Sequence, residues 1–530
     1  MAIDPETLMS ADQLSDQDRE LLLAELQQRG EPLYFNGVSG VTGTYGLAPM
    51  SGAAFADLIQ GAPAHPQSEQ QECAARSDPG NRAHPIRPGH DPSQLDQAGW
   101  AVIFPAQTDP APYREALKPL LDMRQQQAGS LFRVFDGPQG YRSGEQKRDF
   151  FKRNHIAEGP ADPKQLPYYV LLIGSPEEIP YSFQFQLDLM RGVGRIHFET
   201  LQEYGRYAAS VVSAERADVK LPRELGFFGT SNPDDKATEM SSRYLIQRLH
   251  QLLSASPDDQ SQSHSLWKYG LFLKEQASKE KLGRLLGGDE RPAILFTASH
   301  GVEFPKGDPL QLQHQGALLC QDWPGPRRWQ QDRIPKEFYF SGDDVSGQKN
   351  LHGMIALCFA CYGAGVPKLD QFAQHDGSGD RPEIAPYSFV SRLPARLLSH
   401  PDGGALAVIG HVERAWAYSF LSPDSTPHTN AFEDALRELM SGQRIGWATE
   451  SLNLRYADKA TELSGVLDDL SYTGAPPRSP YELAGLWTAS NDARGYVILG
   501  DPAVRLPLAP VPAAGSAPGP AAKGIEAPKR

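Results

Sequence analysis

The chain has 530 residues, 40% of them hydrophobic, and a formal charge of −14; that length suits at least one large core and, at roughly 150 residues per domain, two to four units. So acidic a chain excludes nucleic acid or an anionic membrane as its main partner, because both need a dense basic surface. Four cysteines are too few for a disulfide framework, and an acidic N-terminus without an apolar core segment, in a chain with no run near the ~18 residues of a membrane span, sets the expectation of a cytoplasmic protein.

Residues 12–29 have helical periodicity, whereas "FNGVSGVTGTYGLAPMSG" (35–52) is glycine-rich and reads as loop or short β structure. Two roles are open for that stretch: a structural loop packed on a sheet edge, or an extended strand that blocks a cleft. Residues 62–96 read as an irregular linker. Short apolar runs follow: "WAVIFP" at 100, "YYVLLIGS" at 168, "LGFFGTS" at 225, "YGLFL" at 269, "AILFTASHG" at 293, "MIALCFAC" at 354, "ALAVIGHVE" at 405 and "GYVILGDP" at 495. Near-continuous apolar runs separated by helical stretches, such as Ser241 to Leu253 and Asn430 to Gly442, fit a mostly parallel sheet covered on both faces. The expected organisation is an N-terminal extension (1–97), a first α/β subdomain (98–220), a second subdomain (221–507) and a disordered Pro/Ala-rich tail (508–530).

Two of these runs end on reactive side chains. In an open parallel sheet, reacting groups gather at the carboxyl ends of strands, and both His300 and Cys361 fall there. Taken singly, such a histidine is usually structural and such a cysteine usually core. Together they supply a thiol nucleophile and the imidazole that takes its proton. The backbone N–H groups of Gly301 and Tyr362, beside glycine-rich turns, are the candidates for holding a substrate carbonyl oxygen. Cys358 sits inside the apolar run and reads as packing. A Cys358/Cys361 redox or zinc pair lacks a second Cys/His pair at ligand spacing, so no metal or cofactor is expected.

A histidine-glycine strand end about 60 residues before an Ala-Cys-x-Gly strand end resembles the caspase-like (clan CD) cysteine peptidases. The caspase pattern is matched in part, with Phe359 for its glutamine and Tyr362 after the cysteine. The chain is most similar to the gingipain-type family, through "YYVLLIGSPEEIPYSF", "GVGRIHFETLQEY", "ASHG", "FACYGAG", "GALAVIGHVERAWAYSF" and "GYVILGDPAVRL". That resemblance, over residues 168–506, implies a caspase-like three-layer α/β sandwich and an endopeptidase that forms an acyl-enzyme on Cys361 with His300. It also implies a specificity-pocket tryptophan, Trp416, and an acidic residue that orients the histidine, for which Asp234 and Asp235 are the candidates. The same loop and Glu413 would favour a basic residue before the cut bond. The implied partners are a protein or peptide substrate and an activating protein or ligand. The competing functions are a catalytically silent scaffold of the same fold, and a thiol acyltransferase or metal-binding protein.

Overall fold

Apolar runs such as Ile294–Ala298 and Ile355–Phe359 are buried at every position, which requires cover on both faces of the sheet they form. The computed structural model describes residues 34–46, 67–78, 84–255, 266–329, 332–345, 347, 351–372, 381–421, 427–473 and 480–510. Its strands are β1 (Gly37–Ser39), β2 (Trp100–Ile103), β3 (Phe132–Phe135), β4 (Tyr169–Ile173), β5 (Gly192–Ile196), β6 (Glu224–Gly229), β7 (Lys268–Leu273), β8 (Ile294–Ala298), β9 (Gly301–Glu303), β10 (Leu318–Leu319), β11 (Tyr339–Phe340), β12 (Ile355–Phe359), β13 (Gly365–Val366), β14 (Phe389–Val390), β15 (Ala407–His411) and β16 (Tyr496–Gly500). Ten of them form one sheet in the order β3-β2-β4-β5-β16-β15-β12-β8-β6-β7. All its pairs are parallel except β15 with β16. The fold is therefore an α/β sandwich in which two parallel blocks of opposite direction meet at one antiparallel seam, with helices outside.

The direction of the second block decides where the chemistry falls. Strands β6, β8, β12 and β15 point the same way, so the residues that follow each of them collect at one rim. The second sheet, β1-β9-β10-β11, caps that rim. Its edge strand β1 comes from the glycine-rich stretch and pairs in parallel with β9, Gly37 opposite Gly301.

All eight runs quoted above form strands of the large sheet. β3 and β5 were not among them, because "FRVF" is half-buried at three of its four positions, "GVGRI" has only two apolar side chains, and each carries an arginine. The linker expected over 62–96 is corrected in part: Gln67–Ser77 is a helix that buries Cys73 against Leu189, Tyr456 and Ala460. Some of its polar residues face inward: Glu69 accepts a hydrogen bond from Tyr456 Oη at 2.5 Å, and Ser77 bonds Thr461. The helix expected over 12–29 and the tail beyond 510 lie outside the described residues; Leu508 and Ala509 still run beside Leu221.

Candidate active site

Register alone brings the two strand ends together. β8 and β12 pair with Ala298 opposite Phe359, so His300 and Cys361 each lie two residues past an aligned rung. The turn is tight. At Gly301 a Cβ would fall 1.8 Å from the Cys361 carbonyl oxygen, so only glycine lets the two turns approach this closely.

His300 is fully buried, and its Nε2–H donates to Asp235 Oδ2 at 2.5 Å. Asp235 sits on the loop after β6 and also accepts from Tyr45 Oη at 2.7 Å and Thr238 Oγ1 at 2.9 Å. Burial raises its pKa, but the adjacent His300 and these three hydrogen bonds outweigh that and hold it below the usual carboxylate range. With Nε2 committed to the carboxylate, Nδ1 is the ring atom left to exchange a proton; it has no partner among the described residues.

Cys361 is equally buried, and burial pushes its thiol well above the ordinary value; Ala415, through its backbone, lowers it in part. The Ala415 N–H donates to Sγ at 3.2 Å. The cover is the glycine-rich stretch itself. Asn36 contributes a carbonyl oxygen that accepts from Gly301 N at 2.9 Å and from Cys361 N at 3.1 Å. Two N–H groups on one oxygen beside a thiol, with a carboxylate-backed imidazole at the neighbouring strand end, are the parts that acyl transfer requires.

Several expectations shift. Tyr362 is not available as an oxygen-holding donor, because its N–H donates to Glu413 O at 2.6 Å and its φ of +58° turns it away from the Gly301 N–H; the second donor is Cys361 itself. Asp234 is exposed, at φ +57°, facing Arg327 across 3.7 Å. Asp235 is no pocket residue either, since its carboxylate is consumed by His300, Tyr45 and Thr238. Glu413 is buried against Arg414 and the Gln371 N–H, with a pKa raised by burial, so Glu413 offers no charge to a basic substrate residue. Trp416 is buried beside Phe35 and Phe372, with ring centroids 5.2 and 5.4 Å apart. Cys358, packed inside β12, is held up to about 11 by burial. Among the described residues no group of three or more His, Cys, Asp or Glu is arranged to hold a metal ion, and no helix is long and apolar enough to cross a membrane.

Sequence reasoning missed Tyr45, Asn36 and Ser241. The first two lie in the glycine-rich stretch, where nothing marks a side chain as facing a distant strand end. Ser241 opens a π-helical turn, Ser241–Gln247, inside what reads as an ordinary helix; such turns are frequent at functional sites but have no sequence signature.

No protein-family model matches the chain, and no curated protein matches it. Among solved structures, one described as "Structure of Protease" is similar over 77% of this chain and 78% of that one, with a TM-score of 0.42 and 11% identity.

Proposed function

We propose that the chain is a cysteine endopeptidase of caspase-like, gingipain-like type, in which Cys361 is the nucleophile, His300 the general base and acid, and Asp235 the group that orients the imidazole. One observation carries this reading: the N–H groups of Gly301 and Cys361 converge on a single carbonyl oxygen beside the Cys361 sulfur. In turnover the thiol proton passes to His300 Nδ1 as Sγ attacks the substrate carbonyl, the two N–H groups hold the resulting oxyanion, and the leaving amine takes the proton back. Water then hydrolyses the thioester and restores the thiol. The substrate is a protein or peptide lying along residues 415–417, where extended backbone already pairs.

A silent scaffold of the same fold is supported by one feature, the complete burial of Cys361. Labelling with a peptidyl acyloxymethyl ketone separates the two. The peptidase forms a thioether at Cys361 that depends on His300, whereas a scaffold stays unlabelled even in a chain whose cover has been loosened.

A further inference from the structure

The segment that covers Cys361 is held as a substrate would be. Asn36 N donates to Ala415 O at 2.9 Å, Ala417 N donates to Tyr34 O at 3.1 Å, and Phe35 is bridged antiparallel to Trp416. After Asn36 the chain leaves that wall and pairs in parallel with β9. The Asn36 carbonyl thus stands at the crossing, under the Gly301 and Cys361 N–H groups. The next residue abuts the sulfur: a Cβ at Gly37 would lie 2.9 Å from Cys361 Sγ and 2.8 Å from the Phe35 ring, so glycine fits and larger residues do not.

The Asn36 side chain enters a closed pocket and is 1% exposed. Its Nδ2 donates to Ser241 Oγ at 3.0 Å and to the Ser299 carbonyl oxygen at 3.3 Å. Both partners are neutral. The Ser299 oxygen can only accept, so a carboxylate in the same place meets an unpaired lone pair, and a lysine or arginine brings a charge that neither group balances.

Resting on the peptidase reading above, we infer that the pocket formed by Ser241 and Ser299 selects asparagine as the residue before the cut bond, and that Asn36–Gly37 is the chain's own substrate bond. The step balances as a hydrolysis. Sγ bonds to the Asn36 carbonyl carbon and its proton moves to His300; the C–N bond to Gly37 breaks and the Gly37 nitrogen takes that proton; water splits the thioester, leaving an Asn36 carboxylate and a free thiol. Asparagine is preferred over aspartate because the pocket is built to accept hydrogen bonds, and such sites reject mismatched analogues strongly.

The full chain, incubated and read by intact mass and N-terminal sequencing, is expected to yield a new N-terminus at Gly37 that is absent from Cys361→Ala and reduced about 100-fold or more in Asn36→Asp. Tyr-Phe-X fluorogenic peptides, assayed with the wild type and with Phe35→Ala, are expected to be cut about 100-fold faster with asparagine at X than with aspartate or arginine. Brisk turnover with arginine or aspartate preferred would overturn the asparagine assignment while leaving the peptidase standing. A folded chain, by circular dichroism, that neither cuts itself nor turns over any of the peptides would overturn both.

Discussion

His300 Nε2 and Asp235 Oδ2 lie 2.5 Å apart with both side chains withdrawn from solvent, so the imidazole has one tautomer and one orientation. Asp235→Asn should keep the shape and lose the charge and one of the two acceptor oxygens. Turnover should fall about 10- to 100-fold, less than the ~10⁴ of a serine triad, because a thiol needs less help. The pH dependence gives a second readout. The folded pKa of Asp235 lies below its unfolded value of about 3.9, so the stability from this pairing is present above that value and is lost as pH falls through the folded one. Urea titrations should show the gap between wild type and Asp235→Asn narrowing from about pH 7 to about pH 3; a gap that widens would remove the charged pairing.

The two cysteines of β12 and its turn should separate cleanly. Cys361→Ala is expected to abolish peptide hydrolysis with little change in stability, since its backbone N–H and fold position are retained. Cys358→Ala should cost about 1 kcal/mol, the usual loss for trimming a buried side chain, and leave turnover close to wild type. Loss of turnover in a folded Cys358→Ala chain would reverse the assignment.

Phe35 anchors the cover through Trp416, and Phe35→Ala removes about 3 kcal/mol or more of buried contact from that anchor. Alkylation of Cys361 by iodoacetamide, followed by peptide mapping, should therefore rise at least tenfold, roughly, over a wild type whose thiol is sealed and raised by burial. Equal rates would mean that residues 34–39 do not limit access.

Asp501, in the closing Gly-Asp-Pro turn, is a structural counterpart. It accepts from Trp100 Nε1 at 2.9 Å and from the fully buried Arg124 at 2.7 Å, away from Cys361. Asp501→Ala leaves Arg124 with Glu215 and the Gln127 amide oxygen and should cost about 3–5 kcal/mol, while any folded fraction keeps its specific activity. A stable but inactive variant would assign this turn to the site.

Much of the arrangement was legible in the residues. Continuous apolar runs reveal buried strands whatever the topology, and a titratable residue at the end of such a run, as at His300 and Cys361, stands out because burying it needs a reason. Asp235 was visible only as one of two neighbours on an acidic loop; which of them turns inward depends on the positive φ of Asp234. The oxygen-holding donor was misassigned to Tyr362 because backbone direction after Cys361 is set by the Glu413 carbonyl, more than 50 residues away in sequence. The glycine-rich stretch was left open between edge strand and cover, and β1 is both: it extends the small sheet at β9 and lies over the sulfur of Cys361.

The central claim is that Cys361 is a nucleophile activated by His300, and mapping the adduct of a peptidyl acyloxymethyl ketone in the Phe35→Ala chain tests it most directly. The account predicts one thioether, at Cys361, formed at least about 100-fold more slowly when His300 is alanine. An adduct on Cys358, Cys320 or Cys73, or labelling of Cys361 at the same rate without His300, would contradict it.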